Sequence, residues 1–106
     1  MKKNLCIMVI LAASLLFAGT ALAHTPMCTC YDNGDGTIFC EGGFSDGSSA
    51  SGVEIRIENA GGKIIFKGKM DEFSEFSCDK PEGKYKVIFD AGPGHVVEVD
   101  GQDIVE

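Results

Sequence analysis

The 106-residue sequence has no tryptophan, two tyrosines and two histidines. Carbohydrate-binding platforms rely on exposed aromatic faces, so sugar binding is disfavoured at once. Positive charge is also scarce. Nine Lys and Arg stand against sixteen Asp and Glu, for a formal charge of −7. That balance excludes nucleic acid or an anionic membrane surface as a partner held by bulk charge. After residue 23 no segment carries a helical repeat of apolar residues. No phosphate-binding glycine loop and no zinc-protease helix motif is found. Ser45, Ser48, Ser49 and Ser51 share a loop without a positioned base. Asp71 and Glu72 are neighbours in an extended stretch, so their side chains point to opposite faces. A non-enzymatic role is therefore expected. Internal repeats and low-complexity segments are also absent.

The amino terminus has a clear pattern. Lys2 and Lys3 precede an apolar run, Leu5 to Phe17, broken only by Ser14. Ala21-Leu22-Ala23 then places small residues where a signal peptidase cuts. The run is shorter than the roughly 20 residues of a membrane span, which argues against an uncleaved anchor. Cys6 follows no small-residue lipobox, so a lipid anchor is not expected. Residues 1–23 are thus predicted to be a helical secretory signal, with residues 24–106 as the exported domain, periplasmic or secreted. Cleavage after Ala23 would free the amine of His24. It would also remove Lys2 and Lys3, leaving seven basic against sixteen acidic residues, a charge of −9.

The exported part reads as short strands joined by glycine-rich turns. Cys28 to Tyr31 and Thr37 to Glu41 flank Asp32-Asn33-Gly34-Asp35-Gly36, whose Asn-Gly and Asp-Gly pairs mark a β-hairpin. The same loop fails as a calcium site, because neither register supplies alternating oxygen ligands and a closing glutamate. Val53, Ile55 and Ile57 alternate with Glu54, Arg56 and Glu58. Lys63 to Lys67, then Phe73 with Phe76 and Cys78, then Tyr85 with Val87 and Phe89, and last His95 with Val97 and Val99, mark further strands. Seven strands with regular turns predict an all-β fold, a seven-stranded antiparallel β-sandwich.

Two groups of residues point to metal chemistry. His24 at a processed terminus would offer an amine and an imidazole to one ion, and His95 is the one other histidine. Such nitrogen donors suit copper or nickel. The four cysteines of the exported part are Cys28, Cys30, Cys40 and Cys78, and an even count in an oxidising compartment predicts disulfides. A Cys28–Cys30 bond is disfavoured, since same-face strand neighbours lie roughly 7 Å apart. Three connectivities remain formally open. The competing expectations are a frayed His24 and cysteines that serve structure alone.

Gly43-Phe44-Ser45-Asp46-Gly47, Gly52-Val53-Glu54-Ile55-Arg56-Ile57, Met70-Asp71-Glu72-Phe73-Ser74-Glu75-Phe76 and Pro81-Glu82-Gly83-Lys84-Tyr85-Lys86-Val87 follow one another in that order. Over about Thr37 to Val99 this resembles the carboxypeptidase-regulatory-like domains, whose fold is a transthyretin-like (Ig-like) sandwich. The sequence departs from that family at Met70, where threonine is usual, at Ser74, where glycine is usual, and at Cys78, where an aromatic is usual. The resemblance implies a core over 42–106 preceded by a cysteine-containing hairpin over 24–41. It also implies a Cys40–Cys78 bond, which would leave Cys28 and Cys30 free for a soft metal beside His24 and Met27. The Cys-x-Cys start, Asn33-Gly34-Asp35-Gly36-Thr37 and Asp90-Ala91-Gly92-Pro93-Gly94-His95 together resemble small periplasmic proteins that accompany bacterial nickel or cobalt uptake transporters. That resemblance implies a metal-related accessory role, a nickel, cobalt or copper ion at His24, His95, Cys28 and Cys30, and a membrane metal transporter or another exported protein as partner.

Overall fold

The alternation of apolar and polar residues is realised as seven strands. The computed structural model describes residues 24–106. The expected signal helix over residues 1–23 lies outside the described residues. The strands are β1 (Pro26–Asp32), β2 (Thr37–Phe44), β3 (Glu54–Asn59), β4 (Ile64–Lys69), β5 (Glu75–Asp79), β6 (Tyr85–Asp90) and β7 (Val96–Asp100). A short 3₁₀ turn, Gly101–Asp103, follows. One sheet has the order β1-β2-β5 and the other β4-β3-β6-β7, with every pairing antiparallel. This is the expected all-β sandwich. Among the described residues no helix is long and apolar enough to cross a membrane.

The first hairpin forms because its loop satisfies itself. Gly34 and Gly36 take positive φ values of 77° and 90°, which side-chain-bearing residues avoid. The Asp32 carboxylate accepts from the Gly34 amide at 2.8 Å, and the Asn33 amide donates to the Thr37 carbonyl at 3.0 Å. The four-residue loop, 33–36, sets the register, with Asp32 opposite Ile38 and Cys30 opposite Cys40.

Period-two burial then builds the core. Ile38, Cys40, Ile55, Ile57, Val87 and Phe89 are fully buried between the sheets. Each large apolar side chain so placed contributes roughly 1.5–3 kcal/mol. Ser74 stands at a φ of 61°, a left-handed conformation that costs a side-chain-bearing residue about 1–2 kcal/mol. Its hydroxyl offsets part of that by accepting from the Ala50 amide at 2.9 Å. This explains how serine serves where the resembled family has glycine.

The outer face of β6 is less wet than its lysines imply. Ile88 is buried and lies opposite Arg56 of β3. The Arg56 guanidinium is bonded to Asp90 at 2.8 Å, Glu54 at 2.9 Å and Glu58 at 3.2 Å. An arginine stem covers apolar surface while its head stays hydrated.

Aspartates at both ends of the sandwich titrate low. The Lys80 ammonium, bonded to Asp32 at 2.7 Å, and then the Gly34 amide hold Asp32 below the usual carboxylate range. Arg56 and then the Gly92 amide do the same for Asp90. The unfolded chain therefore binds more protons than the folded one over this range, and stability rises with pH. The contribution is complete above about pH 4, where unfolded aspartate has ionised. It is lost as the pH falls through the lower folded values. Thermal unfolding from pH 7 to pH 2 should show a melting temperature that declines below about pH 4. A flat profile there would contradict these assignments.

Candidate functional site

Two places gather chemically capable side chains. The first is the end of the sandwich where β1 begins. Pairing with β2 continues past the strand, because the Thr25 amide donates to Ser45 Oγ at 3.0 Å and the Ser45 amide donates to the Thr25 carbonyl at 2.9 Å. His24 is thus held. Its Nδ1 lies 2.8 Å from Asp46 Oδ2, and its ring stands edge-on to Phe44 with centroids 6.4 Å apart. The Ser48 hydroxyl and amide, followed by the adjacent His24, hold the Asp46 carboxyl below its usual range. Asp46 was not singled out from the sequence. Its position in Asp46-Gly47-Ser48, where the carboxylate closes a turn on the Ser48 amide, is the signal that would have found it.

His95 lies in the turn between β6 and β7. Its amide donates to the Gly92 carbonyl at 2.9 Å, and its Nδ1 is 3.1 Å from the Pro93 carbonyl. Phe44 packs on Phe89 of β6, the strand that leads into the His95 turn, and His24 and His95 belong to different segments. They have separate partners. Among the described residues, neither belongs to a group of three or more close metal-ligating side chains.

The second place is the inner face of the three-stranded sheet. Cys30 and Cys40 are joined by a disulfide between β1 and β2. The Cys40–Cys78 bond implied by the family resemblance is not formed. The register is the reason, since Cys78 of β5 stands opposite Ile38 while Cys40 stands opposite Phe76. Cys30 is consequently not a thiolate ligand in this form. Cys28 and Cys78 remain free thiols.

Cys28 shares the inward face with Cys30, and its sulfur is 4.0 Å from Cys30 Sγ. The sulfurs of Cys28, Cys30 and Cys40 all lie within 4.8 Å of one another. Cys28 faces Gly42 across the hairpin. A side chain at position 42 has no room, because a Cβ there would come within 2.6 Å of the Phe89 ring and 3.0 Å of the Met70 methyl. Burial pushes the Cys28 thiol up to about 11. At neutral pH it stays protonated, and a thiol attacks a disulfide only as thiolate. Cys28 therefore sits beside the Cys30–Cys40 bond without opening it. Alkylation of Cys28 by iodoacetamide should be slow at pH 8 and accelerate up to about pH 11. Mass-resolved labelling at each pH measures this, and a rate that levels off near pH 9 would refute the burial effect.

Cys78 belongs to a different feature. It lines an open groove of about 500 Å³ with Ile57, Ile65, Phe66, Lys80 and Pro81. Edge strand β4 exposes Ile64, Ile65 and Phe66. A bulge falls there, with Ile57 opposite Phe66 and Glu58 opposite Ile64. Bulges and flanking charges such as Lys63 and Lys67 blunt edge strands against pairing.

Fold and site together define an all-β sandwich with a nitrogen–oxygen donor pair at one end and a three-sulfur cluster inside one sheet. No family model matches the chain, and neither a curated protein nor a solved structure matches it.

Proposed function

We propose that this chain is exported and serves as a non-catalytic metal-handling accessory, taking up nickel, cobalt or copper at the His24 end and delivering it to a membrane metal transporter. The observation that carries this reading is the His24 ring nitrogen set 2.8 Å from the Asp46 carboxylate, on backbone fixed by the Thr25–Ser45 bonds. Removal of residues 1–23 would add the His24 amine, giving an amine, an imidazole and a carboxylate around one point. His95 would supply a second imidazole from the β6–β7 turn. Borderline divalent ions that accept nitrogen donors fit this set.

Protein beginning at His24, the same protein with one extra amino-terminal residue, and Asp46→Asn should be titrated with Ni²⁺ and Cu²⁺. The extra residue should weaken binding by at least roughly tenfold, the lower bound for disturbing even an outer-shell partner of a metal. Equal affinities for all three proteins would end this reading.

A second reading is a protein-interaction module that docks another exported protein. The exposed Ile64, Ile65 and Phe66 on edge strand β4 favour it. It expects Ile65→Lys, and none of the His24-end changes, to abolish the partner complex.

A further inference from the structure

We propose that the Cys28, Cys30 and Cys40 cluster is a redox-gated site for a soft monovalent cation, Cu(I), closed while the Cys30–Cys40 disulfide is intact and opened by a dithiol reductant. Opening is balanced. The dithiol gives two electrons and two protons to the sulfur–sulfur bond and itself closes to a disulfide, leaving Cys30 and Cys40 as thiols. Each thiol that then ligates the ion releases its proton to solvent.

The geometry carries the assignment. An ion about 2.3 Å from three coplanar sulfurs sets those sulfurs roughly 4.0 Å apart. The Cys28 and Cys30 sulfurs are 4.0 Å apart already, and all three sulfurs lie within 4.8 Å. Reduction has only to let Cys30 and Cys40 separate from bonding distance. Gly42, opposite Cys28, keeps the cross-strand position free of a side chain, and Phe89 and Met70 close over it. The donor set is sulfur alone, which excludes magnesium, calcium and manganese. It has three donors, whereas structural zinc sites hold four. A soft ion content with three sulfurs is Cu(I). Cys28 is the least buried of the three and is the side from which the ion would enter.

This site is separate from the His24 end, and the experiment keeps the two apart. Protein spanning residues 24–106 is reduced with dithiothreitol, desalted without oxygen, and titrated with Cu(I) buffered by bicinchoninate, beside the oxidised protein. The reduced protein should take up one equivalent and the oxidised protein none. Reduced Cys28→Ser should bind at least about tenfold more weakly, since even outer-shell partners of a metal carry roughly 10–100-fold. Cys78→Ser, which removes the thiol lining the separate groove, should match the native reduced protein. Equal uptake by oxidised and reduced protein, native affinity in Cys28→Ser, or loss of uptake in Cys78→Ser would each overturn the proposal. Near-UV circular dichroism follows the fold throughout. If reduction unfolds the domain and Cu(I) fails to restore it, the proposal is likewise overturned.

Discussion

Replacing Phe89 with alanine should lower the unfolding free energy by about 3–5 kcal/mol, the cost of emptying an aromatic site in a packed core. Phe89 is fully buried and lies on β6, an interior strand of its sheet. Its ring meets Phe44 at a centroid separation of 6.1 Å, so it joins the two sheets. It also fills the space above Gly42. Gly42, which the ring covers, has no side chain to move into the void. In a domain of this size each kcal/mol lowers the melting temperature by roughly 4–8 °C, so a fall of about 12 °C or more is expected by calorimetry. Phe89→Leu, which keeps much of the volume, should lose distinctly less. A Phe89→Ala loss below about 1 kcal/mol would show that the sheets do not depend on this ring.

The second large effect concerns the Cys30–Cys40 bridge. It closes a loop with a sequence separation of 10. Chain-entropy arguments assign a loop of that length slightly less than the roughly 3 kcal/mol of a 15-residue loop, and loss of a native disulfide from a small exported domain typically costs about 2–5 kcal/mol. Urea unfolding of the oxidised protein and of the protein held in dithiothreitol measures the difference. The midpoint should fall clearly on reduction. An unchanged midpoint would mean that the hairpin persists in the unfolded chain and that the bridge constrains nothing. Reduction with Cu(I) present should recover part of the loss, because a ligand that binds only the folded state stabilises it.

Legibility in the sequence followed the reach of the interactions involved. The Asp32–Gly36 hairpin was readable because its turn residues act within five positions. The strand through Ile55 and Ile57 was readable because alternation reports one buried face. The bulge in β4 was hidden, since Ile64, Ile65 and Phe66 are consecutive apolar residues with no period to break. Ile88 was hidden as well, because the burial of one outward side chain depends on where Arg56 reaches from another strand. The cysteines show the boundary most clearly. Their number announced a disulfide, but the partner depended on register. The hairpin loop fixes that register locally, pairing positions 30 and 40, while the family resemblance directed attention to Cys78. The Asp46 partner of His24 sits in the turn that follows β2, beyond what spacing along the chain reveals.

The disulfide also divides the molecule. Cys30 and Cys40 belong to neighbouring strands of one sheet, so among the described residues no disulfide crosses between the sheets, which are joined covalently by the connecting chain alone. Cohesion across the interior rests on packed side chains, with the Asp32 amide donating to the Val105 carbonyl at the rim. The first hairpin is clamped as a unit, and the four-stranded sheet can part from it with the disulfide intact. Opening should therefore proceed in halves. Amide hydrogens of β1 and β2 that pair with each other should exchange more slowly than those by which β2 holds β5, and the unclamped sheet should be the first to admit solvent.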